Sequence, residues 1–145
     1  MLALELNQSA VKSFMGQILR DEIFDVFDVR SVELLVQARI TIDGSTEAGF
    51  SSWQELRPLV YNIIKASPKP RYLKIIFSLK PEESQTIHPN AAALFLNLVY
   101  ENDTVTFTTA TAQKEFALDK TLDAAWDEWT VNFFAKKSLP VTERE

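Results

Sequence analysis

The sequence predicts an α+β fold: a twisted, largely antiparallel sheet with helices packed on one face, in the order β-α-β-α-β-β-β-β-α. Three observations predict it. Runs with an apolar residue at every second position recur along the chain, and stretches of helical periodicity interrupt them. The later strand-like runs follow one another through connections too short for a parallel crossover, so antiparallel pairing is the simplest arrangement.

Leu2, Leu4 and Leu6 alternate with Ala3 and Glu5, which reads as a short half-buried strand. Asn7 or Ser9 can cap the helix that follows, whose stripe is Val11, Phe14, Met15, Ile18 and Leu19 and which ends near Asp21. From Val32 to Ile42 every even-numbered position is apolar, predicting one long strand with a wet face. Asp43-Gly44 marks a turn, and Ser45 to Phe50 reads as a mobile connection. Ser52 and Glu55 form the capping-box pattern S-x-x-E ahead of Trp53, Leu56, Val60, Ile63 and Ile64. Pro58 lies beyond the first turn of that helix and predicts a kink or a fresh start there.

Ser67-Pro68-Lys69-Pro70 ends the second helix, and Tyr72 to Leu79 is the next strand. Glu82 to Asn90 carries the single histidine and room for one helical turn. Ala92–Tyr100, Thr104–Ala110 and Lys114–Leu118 then read as a meander, joined around Asn102-Asp103 and Thr111 to Gln113. The final helix spans Phe116 to Lys137, its start overlapping the last of those runs. Asp119 can cap it, Leu122, Ala125, Trp126, Trp129 and Phe133 form one face, and Lys136 and Lys137 suit the negative end of its dipole. Ser138 to Glu145 reads as a polar tail.

Composition narrows the function classes. A chain of 145 residues with 46% hydrophobic and 24% charged residues fits one domain, residues 1–145, able to bury roughly 70% of the surface of its unfolded chain. The absence of cysteine removes disulfides and thiolate chemistry and suits a reducing, cytoplasmic compartment. No signal-like start and no run of about 18 apolar residues appears, so no membrane role is expected. The formal charge of −5 disfavours nucleic acid as a partner.

Each candidate site has a plainer reading beside it. Gly44 to Ser51 has phosphate-loop glycine spacing, but Phe50 stands where a lysine is needed and Glu47 lies within the loop. A simple connection explains it better. Asp123 and Asp127 lie one helical turn apart with Glu128 nearby, which suits either a hard cation or a solvated face stabilised by the helix dipole, and the latter is favoured. His88 precedes a proline with no partner motif, as a loop-packing histidine would. Lys65, Lys69, Arg71, Lys74 and Lys80 surround Tyr72 as a basic patch or as guards of a wet strand. Trp53, Arg57 and Tyr61 recur every fourth residue and offer aromatic walls and a cation, beside the alternative of core-edge packing. Val131 and Phe134 fall away from the Trp126–Trp129 stripe, so either a loop covers them or they form a subunit or partner interface.

Trp53, Arg57-Pro58 and Ile64-Lys65, then Phe95-Leu-Asn97 with Tyr100-Glu-Asn102, then Phe116, Asp119-Lys120 and Ala125-Trp-Asp127, form a pattern that resembles a small uncharacterised family of clostridial-type Gram-positive bacteria. The resemblance implies a bacterial single-domain protein and carries over no active-site residue. The expected function is therefore a non-enzymatic cytoplasmic binding or interaction module, with a homodimer through Val131 and Phe134 as the simplest assembly. The alternative is a small-molecule-binding protein or enzyme with a pocket between sheet and helix, lined by Trp53, Arg57 and Tyr61 with His88. No cofactor or metal is expected in either reading.

Overall fold

The computed structural model describes residues 1–144. Strand β1 (Ala3–Leu6) leads through a 3-10 turn (Gln8–Ala10) into α1 (Val11–Arg20), and the Asn7 side chain accepts from the Ser9 backbone at the junction. Strands β2 (Phe27–Leu35) and β3 (Arg39–Asp43) follow, then a two-strand flap of β4 (Ser45–Thr46) and β5 (Gly49–Phe50). Helix α2 (Trp53–Lys65) leads to β6 (Tyr72–Leu79), α3 (Pro81–Ile87), β7 (Ala91–Glu101) and β8 (Thr104–Gln113). Helix α4 (Thr121–Lys136) and β9 (Val141–Glu143) complete the described chain.

Seven strands form one open antiparallel sheet in the order β3-β2-β6-β7-β8-β1-β9. Leu4, Val29, Val32, Leu34, Leu73, Ile75, Phe77, Leu94, Leu96, Leu98, Val105 and Phe107 face the core, where α1, α2 and α4 cover them. The core is aromatic at its centre. Phe24, from the turn after α1, stacks on Phe77 at 5.2 Å, while Phe14 of α1 meets Phe107 edge-on at 5.7 Å. Among the described residues no helix lies across the other sheet face, as antiparallel sheets allow.

Several expectations hold in detail. The Ser52–Glu55 capping box is formed from both sides, and the strand Tyr72–Leu79 has the expected bounds. The fresh start considered at Pro58 does not occur: α2 is one helix, Trp53–Lys65, with Pro58 inside it.

Others fail for identifiable reasons. The long strand Val32–Ile42 is two strands joined by a three-residue turn at 36–38, with Val32 opposite Ile42 and Leu34 opposite Ile40. A three-residue turn preserves parity, so the alternation runs unbroken through a reversal of the chain. β2 also begins earlier, at Phe27. A bulge lies between Val29 and Ser31, so core-facing positions are odd-numbered before it and even-numbered after it, and the period-2 signal is lost there.

Lys114–Leu118 is not a strand, and the last helix starts at Thr121 rather than Phe116. Asp119 is not its cap: the N-cap position is Lys120, which makes no side-chain capping bond, and Asp119, one residue earlier, accepts from the Thr121 N–H at 3.1 Å. The tail also departs from expectation: Leu139 is buried and β9 pairs with β1. The connection Ser45–Phe50 is a small hairpin. Gly44, at its root, is where the backbone passes closest to β2, for a Cβ there would lie 1.9 Å from the Val29 carbonyl oxygen. Gly44→Ala is expected to lower stability by about 2 kcal/mol, measured by urea unfolding, because that oxygen belongs to an internal strand and cannot step aside.

Candidate functional site

The residues singled out on α2 are engaged in the fold. Trp53 is fully buried, with its indole N–H donating to the Ile18 carbonyl at 3.2 Å. The Arg57 guanidinium donates to both carboxylate oxygens of Asp25, at 3.2 and 2.8 Å, and to the Arg20 carbonyl. Tyr61 is half-buried, with the Lys65 ammonium 5.9 Å from its ring centre. His88 lies at the end of α3: its Nδ1 accepts from the Asn90 N–H, and its Nε2 lies 3.0 Å from Thr121 Oγ1. It fastens α3 to the start of α4 and shares no hydrogen bond or ring contact with Trp53, Arg57 or Tyr61.

The other sequence candidates are also dispersed. Of the basic patch, Lys80 pairs with Asp28 and Lys69 with Asp103, while Arg71 donates to the Val36 carbonyl. Asp123 and Asp127 are not a solvated face. They accept from Thr111 and Thr109 of β8 and fasten α4 to the sheet. Phe134 is 1% exposed and packs on Phe107 with ring centres 4.7 Å apart, whereas Val131 is 48% exposed. Phe134 therefore forms no surface interface in the folded chain. The buried face of α4 runs through Leu122, Trp126, Thr130, Phe133 and Phe134, and the polar Thr130 in its middle hid the place of Phe134 on it.

A cavity of about 290 Å³ opens toward the uncovered sheet face. There the Arg30 guanidinium lies 3.8 Å from the Phe50 ring centre and 5.1 Å from that of Phe95, and its Nε–H donates to Ser78 Oγ. Burial lowers the Arg30 pKa and nearby Asp28 partly opposes this. Asp28 and Glu82 balance Arg30 and Lys80 in the lining, so this hollow has no net charge to select a ligand.

A groove of about 700 Å³ is better suited to binding. Its walls are Val11, Met15 and Leu19 of α1, Ile64 near the end of α2, and Pro70 and Tyr100, with Gln8, Lys12, Lys69 and Asp103 at the rim. Helix periodicity supplies the first wall: Val11, Met15 and Leu19 recur every fourth residue along one side of α1. Val11 sinks into the core, while Met15 and Leu19 stay only half-buried. The far wall is the β7–β8 turn, where Asn102 and Asp103 both have positive φ (53° and 57°), the conformation that tight hairpins require.

Asp103 organises the rim. Its carboxylate accepts from the Lys69 ammonium and from the Tyr100 hydroxyl at 3.0 Å, while the Gln8 amide donates to its carbonyl at 2.7 Å. The Lys69 bond, then that of Tyr100, holds the Asp103 carboxyl below the usual carboxylate range. The Asp103 bond in turn holds the Lys69 ammonium above its ordinary value. Burial, followed by the Asp103 bond, pushes the Tyr100 hydroxyl up. A carboxylate with a lowered folded pKa adds stability above the unfolded carboxylate range and loses it as pH falls through the folded value. Asp103→Asn is accordingly expected to flatten the acid limb of thermal melts below about pH 4. For Lys69 the sign reverses: its contribution is present below the unfolded lysine value and disappears as pH rises through the folded one.

At the other end of the β7–β8 hairpin, residues 114–119 form a bent but well-pinned connection. Asn90 donates to the Glu115 carbonyl and accepts from the Glu115 N–H, each at 2.9 Å. Gln113 does the same for Ala117, each at 3.1 Å. These amides satisfy the backbone that a neighbouring strand would otherwise pair. Phe116 and Leu118, between and beyond the pinned residues, are 84% and 83% exposed. Asn90→Ala is expected to speed amide hydrogen exchange at Glu115 about tenfold, through loss of the bond its N–H makes.

Among the described residues no group of three or more metal-ligating side chains is present, and no helix is long and apolar enough to cross a membrane. Residues 17–142 match the model of DUF5721, a family of unknown function. No curated protein matches the chain, and no solved structure does.

Proposed function

The chain belongs to DUF5721, a family of unknown function, and we propose that it acts as a non-enzymatic binding module whose receiving surface is the groove between α1 and the β7–β8 turn. One observation carries this reading. Met15 and Leu19 lie open in a groove of about 700 Å³ whose rim holds Lys12 and Lys69, beside an acid already engaged by Lys69. Apolar walls and a flexible methionine, beside a rim whose Lys69 and Asp103 already satisfy each other, suit an apolar ligand or segment.

The anionic apolar dye 8-anilinonaphthalene-1-sulfonate tests the reading. Saturable fluorescence enhancement by the folded protein, lost in Met15→Glu, is expected. No enhancement, or enhancement that Met15→Glu leaves intact, overturns it.

A second reading, a small-molecule pocket or enzyme site on α2 with Trp53, Arg57, Tyr61 and His88, draws less support because the first two already satisfy the core and Asp25. A single-domain chain, a cytoplasmic location and a bacterial, clostridial-type source belong to the same proposal, supported by the chain length, the absence of cysteine and the pattern around Trp53, Arg57 and Trp126. Association with another protein or with a second copy follows from the exposure of Phe116 and Leu118.

A further inference from the structure

Two cations line the hollow on the uncovered sheet face. Lys80 is paired with Asp28, and Arg30 has no ion-pair partner among the described residues. The position of Arg30 comes from the strand itself. It is the extra residue of the bulge between Val29 and Ser31, so Arg30 and Ser31 leave the core in succession, where regular alternation would turn one of them inward. Three contacts then hold the guanidinium: its Nε–H donates to Ser78 Oγ at 3.2 Å, and the Phe50 and Phe95 ring centres lie 3.8 and 5.1 Å from its central carbon. Phe50 arrives there on the β4–β5 flap. The flap is tied to β2 beside Arg30, by the Gly44 N–H on the Arg30 carbonyl at 3.0 Å and the Val29 N–H on the Ser51 carbonyl at 2.8 Å. What stays unused is the far end of the fork. The two Nη groups donate to no acceptor among the described residues, and neither is sealed from solvent, since no buried side-chain nitrogen lacks a partner there.

We propose that this hollow binds a small organic carboxylate, whose two oxygens are taken by the Nη groups of Arg30. Three properties of the lining select that class. A guanidinium fixed at its Nε and against two rings presents its remaining N–H groups in one plane, the geometry a carboxylate matches, and little side-chain freedom is left to lose on binding. Asp28 and Glu82 line the same hollow, so one negative charge is accommodated where the two of a phosphate would be opposed. Ala48, Ala92 and Ala93 supply methyl groups to a volume of about 290 Å³, which leaves room for a short apolar body behind the carboxylate. Burial lowers the Arg30 pKa: the guanidinium has shed water without an acid in contact, and a bound carboxylate supplies the missing partner. The hollow shares no lining residue with the groove between α1 and the β7–β8 turn, so neither reading depends on the other.

The test is a titration of the isotopically labelled full chain with sodium benzoate, at constant ionic strength made up with chloride, following the Arg30 Nε–H resonance and the backbone amides. Saturable shifts at Arg30, Ala48–Phe50 and Ala92–Ala93 are expected, half-complete at about 1 mM. Arg30→Lys keeps the charge and loses the fork, and should bind about tenfold more weakly. Ala92→Glu, at an exposed position of the lining, places a carboxylate in the hollow without touching the core and should weaken binding as much, which keeps the test open should Arg30→Lys fold poorly. Shifts that grow without saturating, half-saturation unchanged in a folded variant, or phosphate binding as tightly as benzoate overturns the proposal.

Discussion

Phe134→Asp is expected to leave the protein without a cooperative thermal transition, followed by far-UV circular dichroism. Phe134 is almost fully buried on the core side of α4, against Phe107 and within 6.4 Å of the Phe24 ring centre. Truncating a buried phenylalanine costs about 3–5 kcal/mol through lost transfer energy and the cavity left behind. Placing a carboxylate there adds the penalty of burying a charge with no partner. Together these approach the whole stability of a domain, about 5–15 kcal/mol. Phe134→Ala should retain a transition at much lower temperature. A Phe134→Asp protein that melts like wild type would mean that the last turn of α4 is not packed as described. Val131→Asp, only three residues earlier in sequence, should change the melting temperature little, since Val131 is half-exposed.

Arg57→Ala is expected to destabilise by about 3 kcal/mol, read from urea unfolding at neutral pH. The Asp25 and Arg57 side chains are only 13% and 15% exposed, and the ion pair is bidentate. Removing the guanidinium leaves a nearly buried carboxylate without its partner and frees the Arg20 carbonyl. The double replacement Asp25→Leu with Arg57→Leu should recover much of the loss, because no charge is left uncompensated. These outcomes also weigh the α2 pocket against the groove. If Arg57 bound a ligand and contributed little to folding, Arg57→Ala would leave unfolding unchanged and abolish that binding.

The elements most legible in the sequence were those whose signals were local. The Ser52–Glu55 cap needs four residues, and Leu73, Ile75, Phe77 and Leu79 alternate without interruption, so both could be placed in advance. What failed depended on pairing. The 36–38 turn carries neither glycine nor proline and keeps the even positions on one face, so nothing in the pattern marks the reversal. The bulge after Val29 erased the periodicity of a real strand. Phe116 and Leu118 alternate as in a strand, yet Asn90 and Gln113 side chains take the place of the neighbouring strand. The run bends at 114–115 and 118–119, which alternation alone does not reveal.

The candidate site was legible only in pieces. Met15 and Leu19 read as part of the α1 stripe, Asn102-Asp103 as a turn, and Lys69 as one member of a basic cluster, each correct locally. Their convergence depends on the long β7–β8 hairpin bringing its turn back beside α1, where Gln8 reaches the Asp103 carbonyl. Sequence separation hides such a meeting: Gln8 and Asp103 are 95 residues apart. By contrast Trp53, Arg57 and Tyr61 drew notice because they share a helix face, although Trp53 faces the core and Arg57 faces Asp25.

The most direct test of the groove as a receiving surface is backbone amide shift mapping of isotopically labelled protein, titrated with 8-anilinonaphthalene-1-sulfonate. Saturable shifts confined to Val11–Leu19, Ile64–Pro70 and Tyr100–Asp103, and their loss in Met15→Glu, are expected. Shifts centred instead on Val131 or on the uncovered sheet face, or no shifts at millimolar dye, would contradict that reading.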